Sequence, residues 1–520
     1  MQKREPEYEN IVDNIINCIE KNQDEDGYFN SYIQTIGENR RFKKRNEHEL
    51  YCLGHLIEAA IAYHEATGKD KLLKCVMKYC DYVEKVFIIE NSADFVTPGH
   101  QEVELALIKL YRYTKNEKYL KMAQFFLEAR ANNDKDSHEE ALPEHQSDMR
   151  IREITEAVGH AVRANYQYSA MAALAKEISD KELEASCDRI IDNIVNKKMS
   201  ITAGVGAKRY GEAFSYEYDL PNLTAYNETC ASIGLAYFCA EMQQLKPNSL
   251  YGDIIERAIY NGIISGISLS GDEFFYENPL EINLEKTKME ETKMAVTTRQ
   301  KLFMCSCCPP NLVRFIPSIS RYIYTVHDDK IYCNQFISSK AELLVGGESA
   351  TITQKSLFPN NGKVIIEYHG KPTVIAVRVP GWFTGETDKT EEGFAEFNVT
   401  EGSIIELDFT MKPIVIEANP NVQECAGKCA IMRGPLVYCL EGIDNGKNLR
   451  DIVIEDDFKE EFNSDFRAFT LTTNAYRRAE SKLLYYPKTN EKINFTARLI
   501  PYYAFANRGG SDMLVWVRVL

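Results

Sequence analysis

A cluster of thiols is the sequence feature with the clearest chemical potential. In the stretch CSCCPPN, residues 305–311, the cysteines Cys305, Cys307 and Cys308 fall within four positions. Thiols this close together bind metal ions and oxidise readily, so their presence indicates a function. Asn311 is a favourable N-cap for the apolar helix predicted after it, and a helix N-terminus favours thiolate over thiol. The stretch predicts a metal site or a nucleophile; a cluster of small buried residues and a disulfide are the weaker alternatives.

A second candidate pair is Glu228 and Cys230, a carboxylate and a thiol two positions apart in the stretch NETC. In an extended chain both could reach one ion, because zinc takes four ligands from Cys, His, Asp or Glu side chains. Together with Cys307 and Cys308 they would complete a set of four. Alone, the Glu-x-Cys pattern is a weak signal, and a glutamate at the start of a helix is the structural alternative.

A third candidate is Glu212, in the Gly- and Tyr-rich stretch GVGAKRYGEAFSYEYDLPN between two predicted helices. A carboxyl group among aromatic side chains is a candidate general acid, because apolar surroundings raise its pKa. An ordinary exposed loop glutamate fits the same pattern equally well, so this stretch alone does not decide between the two interpretations.

Histidines near predicted helix starts form a further set of candidates. His48 and His55 are seven positions apart, which puts them on nearly the same helix face. His100 follows Pro-Gly at a helix start, and His160 follows a glycine. A lone helical histidine is usually a core or surface residue, whereas several at comparable positions could surround a polar cavity. Further hydrogen-bonding partners for hydroxyl groups there are Glu256 and Tyr276.

The elements that must position these residues are mainly helices up to about residue 325. Apolar residues recur at helical spacing. They predict eleven helices, at 6–22, 46–67, 70–89, 98–115, 117–131, 152–167, 168–177, 179–197, 226–244, 247–265 and 310–325. The lack of an exact repeat argues against a regular solenoid and favours a closed ring of paired helices, an α/α toroid. Six pairs need twelve helices, so one more is expected before residue 1.

The rest of the chain alternates apolar and polar residues, as strands do. Runs such as KVIIEYHG, SIIELDFTM and DMLVWVRVL lie between Gly, Pro, Asn and Asp turns, which favours β-sandwiches. The expected organisation is a helical catalytic domain at 1–325, a β-sandwich at 326–425, and a second sandwich or a continuation of the first at 426–520.

Composition narrows the range of partners. The net charge of −16 disfavours binding to nucleic acid or anionic membranes and suits neutral ligands such as sugars. No run approaches 18 apolar residues, and the start, MQKREPEYEN, lacks a secretory apolar segment. The fourteen cysteines are then expected to be reduced in a cytoplasmic protein. The oligomeric state is left open, a homodimer included.

These motifs together resemble the β-L-arabinofuranosidases of glycoside hydrolase family 127. The matching stretches occur in the family's order from about residue 6 to the end, and CSCCPPN with the upstream ETC is the most specific pairing. The other matches are HELYCLGHLIEAA, PGHQEVELAL, EAVGHAVRA, GEAF, YNETCA, IERAIYNG, FFYENPL, AIMRGPLVYCLE and PYYAFANRGGSDMLVWVRV. Members normally have a β-stranded lead-in and one further helix before the region that begins here.

The resemblance implies an (α/α)6 barrel, lacking its first helix here, followed by β-sandwich domains. It implies a retaining exo-glycosidase that releases terminal β-L-arabinofuranose, or a similar sugar, from plant-type glycans. Cys307 would be the nucleophile and Glu212 the general acid/base. The implied Zn²⁺ ligands are Glu228, Cys230, Cys307 and Cys308. The implied sugar contacts are His48, favoured over His55, and His100, His160, Glu256 and Tyr276; Cys305 would be a neighbour of the metal site.

Three other functions remain in competition at this stage. A sugar epimerase on a similar toroid would use histidines as acid and base and would need no zinc. A non-catalytic, zinc-stabilised carbohydrate-binding protein would bind sugar without turnover, having lost its activity with the N-terminal helix. A thiol redox protein ranks last, because CSCCPP lacks a thioredoxin-like βαβ context.

Overall fold

The computed structural model describes residues 5–132, 143–286, 297–478, 483–488 and 490–520. The chain divides into two compact units, Met1–Asn193 and Ile194–Leu520. Helices come first and β-sheets follow, so the predicted order of helical and β regions is confirmed. Within the described residues, no helix is long and apolar enough to cross a membrane. The domain boundaries at 325/326 and 425/426 stay predictions.

The first unit is built from antiparallel helix pairs. Its helices are α1 (Pro6–Asn22), α2 (Ser31–Ile36), α3 (Glu49–Thr67), α4 (Lys71–Glu84), α5 (Val103–Thr114), α6 (Glu117–Ala129), α7 (Ala161–Ile178) and α8 (Lys181–Asn193). Helices α3, α5 and α7 pack side by side, and each packs against the helix that follows it. In α7 almost every residue from Ala161 to Ala175 is buried, whereas α8 buries a single stripe. A helix that is apolar on all sides belongs inside, so α7 is an inner helix and α8 an outer one.

One part of the helix prediction is wrong. Residues 152–167 and 168–177 were expected to form two helices, but the structure has the single helix α7 and turns from 151 to 160. Gly159 has φ +70, and a Cβ there would lie 1.9 Å from the Pro143 carbonyl oxygen. The backbone at this point is therefore left-handed and tightly packed, which excludes a continuous helix although the side-chain periodicity permits one.

Three helices of the second unit carry the residues of chemical interest. They are α9 (Thr229–Leu245), α10 (Ser249–Arg257) and α11 (Cys308–Phe315). Helix α9 packs against both α10 and α11, and it is buried on nearly all sides over its first eight residues. The N-terminal turns of α9 and α11 are consequently held next to each other in the interior of this unit.

Two four-stranded sheets follow α11 and form a β-sandwich. The strands, numbered after a short strand β1 (Glu281–Ile282), are β2 (Tyr324–His327), β3 (Lys330–Cys333), β4 (Ser339–Val345), β5 (Glu348–Ser356), β6 (Lys363–His369), β7 (Thr373–Arg378), β8 (Phe394–Val399) and β9 (Ser403–Asp408). Their orders in the two sheets are β2-β3-β7-β8 and β4-β5-β6-β9. Inward residues such as Ile352, Ile366 and Ile375 share one core, which the alternating pattern predicted.

A ten-stranded sheet contains the C-terminal region and one short strand from the helical region. That strand, β1 (Glu281–Ile282), pairs with β17 (Met513–Leu514). The other strands are β10 (Pro413–Glu417), β11 (Cys429–Arg433), β12 (Leu436–Glu441), β13 (Val453–Ile454), β14 (Lys459–Asn463), β15 (Ala468–Arg478), β16 (Lys492–Pro501), β17 (Met513–Leu514) and β18 (Arg518–Val519). The sheet therefore fixes the segment just before β1, which belongs to the candidate site.

Candidate active site

Two helix N-termini bring four potential metal ligands together. Glu228 is the residue immediately before α9, and Cys230 lies in the first turn of that helix. Cys307 immediately precedes α11, and Cys308 is the first residue of α11. Their ligand atoms all lie within 4.8 Å of one another. The structure thus unites the two stretches that the sequence could only suggest as partners.

The start of α11 differs from the prediction in one detail. Asn311 was expected to cap the helix, but α11 begins at Cys308 and Asn311 lies inside its first turn. Pro309 and Pro310 fill positions whose backbone N–H groups would have no acceptor in the helix, so they extend it upstream. The Asn311 N–H donates to the Cys307 carbonyl at 3.2 Å. As a result Cys307 itself stands at the helix N-terminus.

The distances within this group match the edges of a small coordination tetrahedron. Cys230 Sγ lies 3.4 Å from Cys308 Sγ, and Cys307 Sγ lies 3.8 Å from Cys308 Sγ. Glu228 Oε1 lies 3.3 Å from Cys307 Sγ and 3.5 Å from Cys308 Sγ. Ligands at about 2.0 Å for oxygen and about 2.3 Å for sulfur around tetrahedral zinc imply edges of about 3.5–3.8 Å. The four donors therefore fit one ion of this kind.

The electrostatics of the group also call for a cation. Burial raises the pKa of Glu228 well above its usual range, and nearby Cys307 and Glu212 raise it further. A hydrogen bond with Cys230 raises the pKa of Cys307 to about 12. Glu228 Oε2 is buried and has no hydrogen-bond partner among the described residues. A divalent cation would give the Glu228 carboxylate a positively charged partner and would favour the deprotonated forms of the four ligands.

Two short extended segments hold Glu228 in place. Glu228 pairs with Glu277 in an isolated β-bridge, and the Thr229 N–H donates to the Tyr276 carbonyl at 3.0 Å. The Asn278 side-chain amide donates to the Asn227 carbonyl and to Thr229 Oγ1, both at 3.0 Å. Since Asn227, Thr229 and Asn278 are fully buried, these hydrogen bonds fix the start of α9 relative to the neighbouring segment.

Tyr276 joins the cysteine group through its hydroxyl. The Tyr276 hydroxyl oxygen lies 3.2 Å from Cys307 Sγ and 3.8 Å from Cys305 Sγ. Cys305 is exposed and lies outside the four-donor group, while Cys307 is partly exposed. Of the ligand candidates, Cys307 is thus the sulfur that is accessible to a substrate, and a phenol group lies beside it.

Glu212 ends a tight turn close to the same group. The N–H and C=O groups of Lys208 and Ala213 pair across the turn. Gly211 and Glu212 have φ angles of +75° and +50°. A carboxylate oxygen of Glu212 lies within 4.8 Å of one of Glu228, and the Tyr226 hydroxyl donates to Glu212 Oε1 at 2.7 Å. The structure therefore brings the predicted acid/base to the predicted metal ligands.

The histidine candidates belong to the first unit, at the starts of its inner helices. His48 and His160 immediately precede α3 and α7, and His100 lies three residues before α5. The His100 ring centroid lies 6.5 Å from that of His48 and 5.9 Å from that of His160. Burial lowers the pKa of His48 and, together with His160 and Arg163, that of His100. Neutral imidazoles suit hydrogen bonding to sugar hydroxyls.

His48 and His55 do not share a helix face as predicted, because His48 has a left-handed backbone (φ +59°) just before α3, whereas His55 lies within α3. His48 Nδ1 is buried and has no hydrogen-bond partner within the described residues. His55 Nδ1 lies 3.2 Å from a carboxylate oxygen of Glu102. His55 is thus engaged by a protein carboxylate, while His48 stands beside His100. This difference agrees with preferring His48, and its contact with a sugar stays a prediction.

Glu256 makes its side-chain contacts with the β-sandwich. Its Oε1 accepts a hydrogen bond from Trp382 Nε1 at 2.9 Å, and its Oε2 accepts one from Arg378 at 2.5 Å. Burial raises its pKa, while Arg378 and Trp382 oppose that shift. Both oxygens are therefore used to join α10 to the β-sandwich, and a sugar contact at Glu256 also stays a prediction.

Sequence reasoning missed the residues that support the site. Tyr226 contacts Glu212, Asn278 holds the segment before α9, and Arg209 pairs with Glu277. Each belongs to a stretch that was noted for another residue. Their closeness in sequence to the catalytic candidates was the one signal that could have identified them as supporting residues. A tyrosine or asparagine near a candidate is nevertheless too common to indicate support without the fold.

Comparison with known proteins shows which family this chain belongs to. Residues 1–321 match the family described as β-L-arabinofuranosidase, GH127 catalytic domain, and residues 413–518 match the glycoside hydrolase family 127 C-terminal domain. A non-reducing end β-L-arabinofuranosidase of Bifidobacterium longum is 33% identical over an alignment of 569 positions, gaps included. The alignment covers 99% of this chain and 86% of that protein.

Solved structures give the same result. The GH127 β-L-arabinofuranosidase Ara127N of Geobacillus stearothermophilus T6 superposes with a TM-score of 0.94 at 39% identity, covering 100% of this chain and 88% of that one. A second GH127 β-arabinofuranosidase gives a TM-score of 0.88 at 34% identity, covering 99% and 85%. Matches of this extent and identity define the family. This chain belongs to glycoside hydrolase family 127, and it is a glycoside hydrolase.

Proposed function

We propose that this glycoside hydrolase is a retaining exo-enzyme that releases terminal β-L-arabinofuranose from plant-type glycans. The observation that carries the proposal is the group of four ligand atoms of Glu228, Cys230, Cys307 and Cys308, with Glu212 beside it. The names of the relatives support the choice of sugar, and the Bifidobacterium relative supports action at a non-reducing end.

The ion proposed for this group is Zn²⁺. Zinc accepts thiolate and carboxylate ligands in tetrahedral sites, and three sulfur donors with one oxygen suit it better than magnesium or calcium. When bound, zinc supplies the charge that keeps the Cys307 sulfur deprotonated at neutral pH. The residues proposed to hold it are Glu228, Cys230, Cys307 and Cys308.

In the first proposed step the glycosidic bond is replaced by a carbon–sulfur bond. The Cys307 sulfur attacks the anomeric carbon while the Glu212 carboxyl group donates its proton to the departing glycosidic oxygen. The partly exposed position of Cys307 allows this attack. The Tyr276 hydroxyl beside Cys307 can hydrogen-bond to the sulfur or to the sugar.

In the second step water replaces the sulfur at the same carbon. Glu212, now ionised, takes a proton from the water, and the Cys307 sulfur leaves as a thiolate. Two inversions at the anomeric carbon retain its configuration. We further propose that His48, His100 and His160 bind sugar hydroxyls, as the family resemblance implies. A cytoplasmic location and a homodimer stay predictions.

The test is a paired measurement on the purified protein. Metal content is determined by elemental analysis, and release of 4-nitrophenol from 4-nitrophenyl β-L-arabinofuranoside is followed with and without a chelator. We expect one zinc per chain and turnover that the chelator abolishes and added zinc restores. Zinc without turnover would contradict the catalytic proposal and favour a carbohydrate-binding protein. Full turnover in zinc-free protein would remove the metal from the mechanism.

A further inference from the structure

The turn that carries Glu212 depends on its surroundings for its shape. Gly211 and Glu212 both have left-handed backbone angles, and for glutamate that conformation is unfavourable by itself. The Glu212 N–H donates to the Arg209 carbonyl at 3.0 Å within the turn. A carboxylate at the end of such a turn can point in several directions unless its side chain is also held.

Tyr226 contacts this side chain through a hydrogen bond. Its hydroxyl donates to Glu212 Oε1 at 2.7 Å, and the tyrosine is only 6% exposed. The Tyr226 N–H donates to the Ala207 carbonyl at 3.1 Å, and the Tyr226 carbonyl accepts from the Asn278 N–H at 3.1 Å. Both backbone polar groups of Tyr226 are thus hydrogen-bonded, which fixes the point from which its phenol group extends. It presents one O–H group to one oxygen of the carboxylate.

A second support comes from Arg209, at the other end of the same turn. Its guanidinium group forms an ion pair with Glu277 and lies 5.8 Å from the centre of the Tyr226 ring. Glu277 belongs to the segment that forms a β-bridge with Glu228. The turn is therefore connected, through two different side chains, to the two segments that carry Glu228 and Tyr276.

The two tyrosines of these segments have complementary positions. The rings of Tyr226 and Tyr276 lie 6.1 Å apart. One hydroxyl contacts the proposed acid/base Glu212, and the other contacts the proposed nucleophile Cys307. Because Tyr226 lies two positions before Glu228, any movement of the proton donor relative to the metal ligands would strain this connection.

We propose that Tyr226 is a positioning residue for Glu212, and that Arg209 with Glu277 supports it from the other side of the turn. The hydrogen bond from the Tyr226 hydroxyl sets the direction of the Glu212 carboxyl group, which exchanges its proton first with the glycosidic oxygen and then with water. The inference rests on the proposed function of Glu212. Beyond that function, we infer that Tyr226, which lies in the same segment as the proposed metal ligand Glu228, sets the position of the proton donor Glu212.

The test is the variant Tyr226→Phe, measured on two arabinofuranosides that differ only in leaving group. Methanol is a poor leaving group that needs a proton, and 4-nitrophenol leaves without much assistance. We expect kcat/KM to fall by about 10-fold or more for the methyl glycoside and by less than about 3-fold for the 4-nitrophenyl glycoside. Zinc content and thermal midpoint should match those of the parent enzyme.

Two further variants make the result decisive. Tyr216→Phe is the matched control, because Tyr216 lies in the same loop and is 74% exposed; it should change neither substrate's kcat/KM. In Glu212→Gln, the loss of kcat/KM on the methyl glycoside should exceed the loss on the 4-nitrophenyl glycoside by a larger factor than in Tyr226→Phe. In the double variant Tyr226→Phe/Glu212→Gln, the loss should be no larger than in Glu212→Gln alone, since a residue that acts through another adds nothing in its absence.

The outcomes separate the inference from the proposed function. If Glu212→Gln reduces both substrates equally, the acid role of Glu212 fails, and the role of Tyr226 fails with it. If Glu212→Gln discriminates but Tyr226→Phe behaves like Tyr216→Phe, only the positioning role is overturned. Equal losses on both substrates in Tyr226→Phe, loss of its zinc, or additive losses in the double variant would likewise overturn it.

Discussion

At the scale of single residues, the distinguishing feature is a carboxylate and three thiols within reach of one another. Cys308 and Cys230 are fully enclosed, whereas Cys307 retains access to solvent. In the proposed mechanism the enclosed cysteines serve as metal ligands only, whereas the accessible Cys307 is also the nucleophile. Cys305, only two positions away from Cys307, lies outside the group because its side chain points to the surface.

The variant Cys307→Ser tests this division of roles. A serine hydroxyl is a far weaker nucleophile than a thiolate, so we expect kcat/KM for 4-nitrophenyl β-L-arabinofuranoside to fall by about 1000-fold or more. The matched control Cys305→Ser changes a neighbouring thiol that is exposed, and it should lose less than about 10-fold. Substantial turnover by Cys307→Ser would exclude the sulfur as nucleophile, and thermal unfolding of both variants would verify their folding.

At the scale of elements, the site is made where helices begin. Helix α9 begins after Glu228, and α11 begins at Cys308 after a cysteine and before two prolines. The positive ends of both helix dipoles point at the group, which favours the anionic forms of its ligands. The extended segments around Asn227 and Asn278 fix the position of the first turn of α9. They therefore determine the positions of Glu228 and Cys230.

The variant Asn278→Ala tests the role of these segments. It removes the amide that donates to the Asn227 carbonyl and Thr229 Oγ1. Loss of such an outer hydrogen bond typically weakens metal binding by about 10- to 100-fold, so we expect that reduction in zinc affinity. Affinity is measured by competition with a chromophoric chelator. The exposed Asn474→Ala serves as control, and an unchanged affinity in Asn278→Ala would contradict the argument.

At the scale of the whole molecule, the second unit is joined by contacts between its early segments and its C-terminal sheet. The buried Arg299 guanidinium donates to the carbonyls of Ser265, Tyr503 and Phe505. It also lies 4.5 Å from the centre of the Phe275 ring, next to the segment of Tyr276. The C-terminal sheet therefore contributes to the site by holding the chain that carries it.

The variant Arg299→Met should show how strongly this connection stabilises the fold. The Ser265 and Tyr503 carbonyls would lose the Arg299 donor, and the Phe505 carbonyl would keep the Asn507 side-chain amide at 3.4 Å. Each buried group left unsatisfied costs about 1–3 kcal/mol. We expect the thermal midpoint to fall by several degrees or more, with aggregation on heating, as measured by calorimetry. The control Arg518→Met removes an exposed arginine of β18 and should shift the midpoint little. Equal thermal midpoints for the two variants would contradict a stabilising role of Arg299 between the early segments of this unit and its C-terminal region.

Several properties could be predicted from the sequence because they depend on local pattern or on residue type. The helix-to-strand change near residue 325 follows from periodicity, and thiols at the start of a helix follow from the residues around CSCCPPN. The family followed from the order of the motifs. Asn311 and residues 152–160 were predicted incorrectly because prolines in a first turn and a left-handed glycine act on the backbone, which side-chain spacing does not report.

Only the tertiary structure decided which of these residues meet. Cys230 and Cys308 are 78 positions apart, and their 3.4 Å separation depends on the packing of α9 against α11. Tyr226 contacts Glu212 across 14 positions of the chain, and Glu256 is held by Arg378 and Trp382 of the sandwich. The sequence by itself determined which donors exist and which helix starts carry them. Their convergence required the fold, because long-range packing, rather than local propensity, sets distances between segments far apart in the chain.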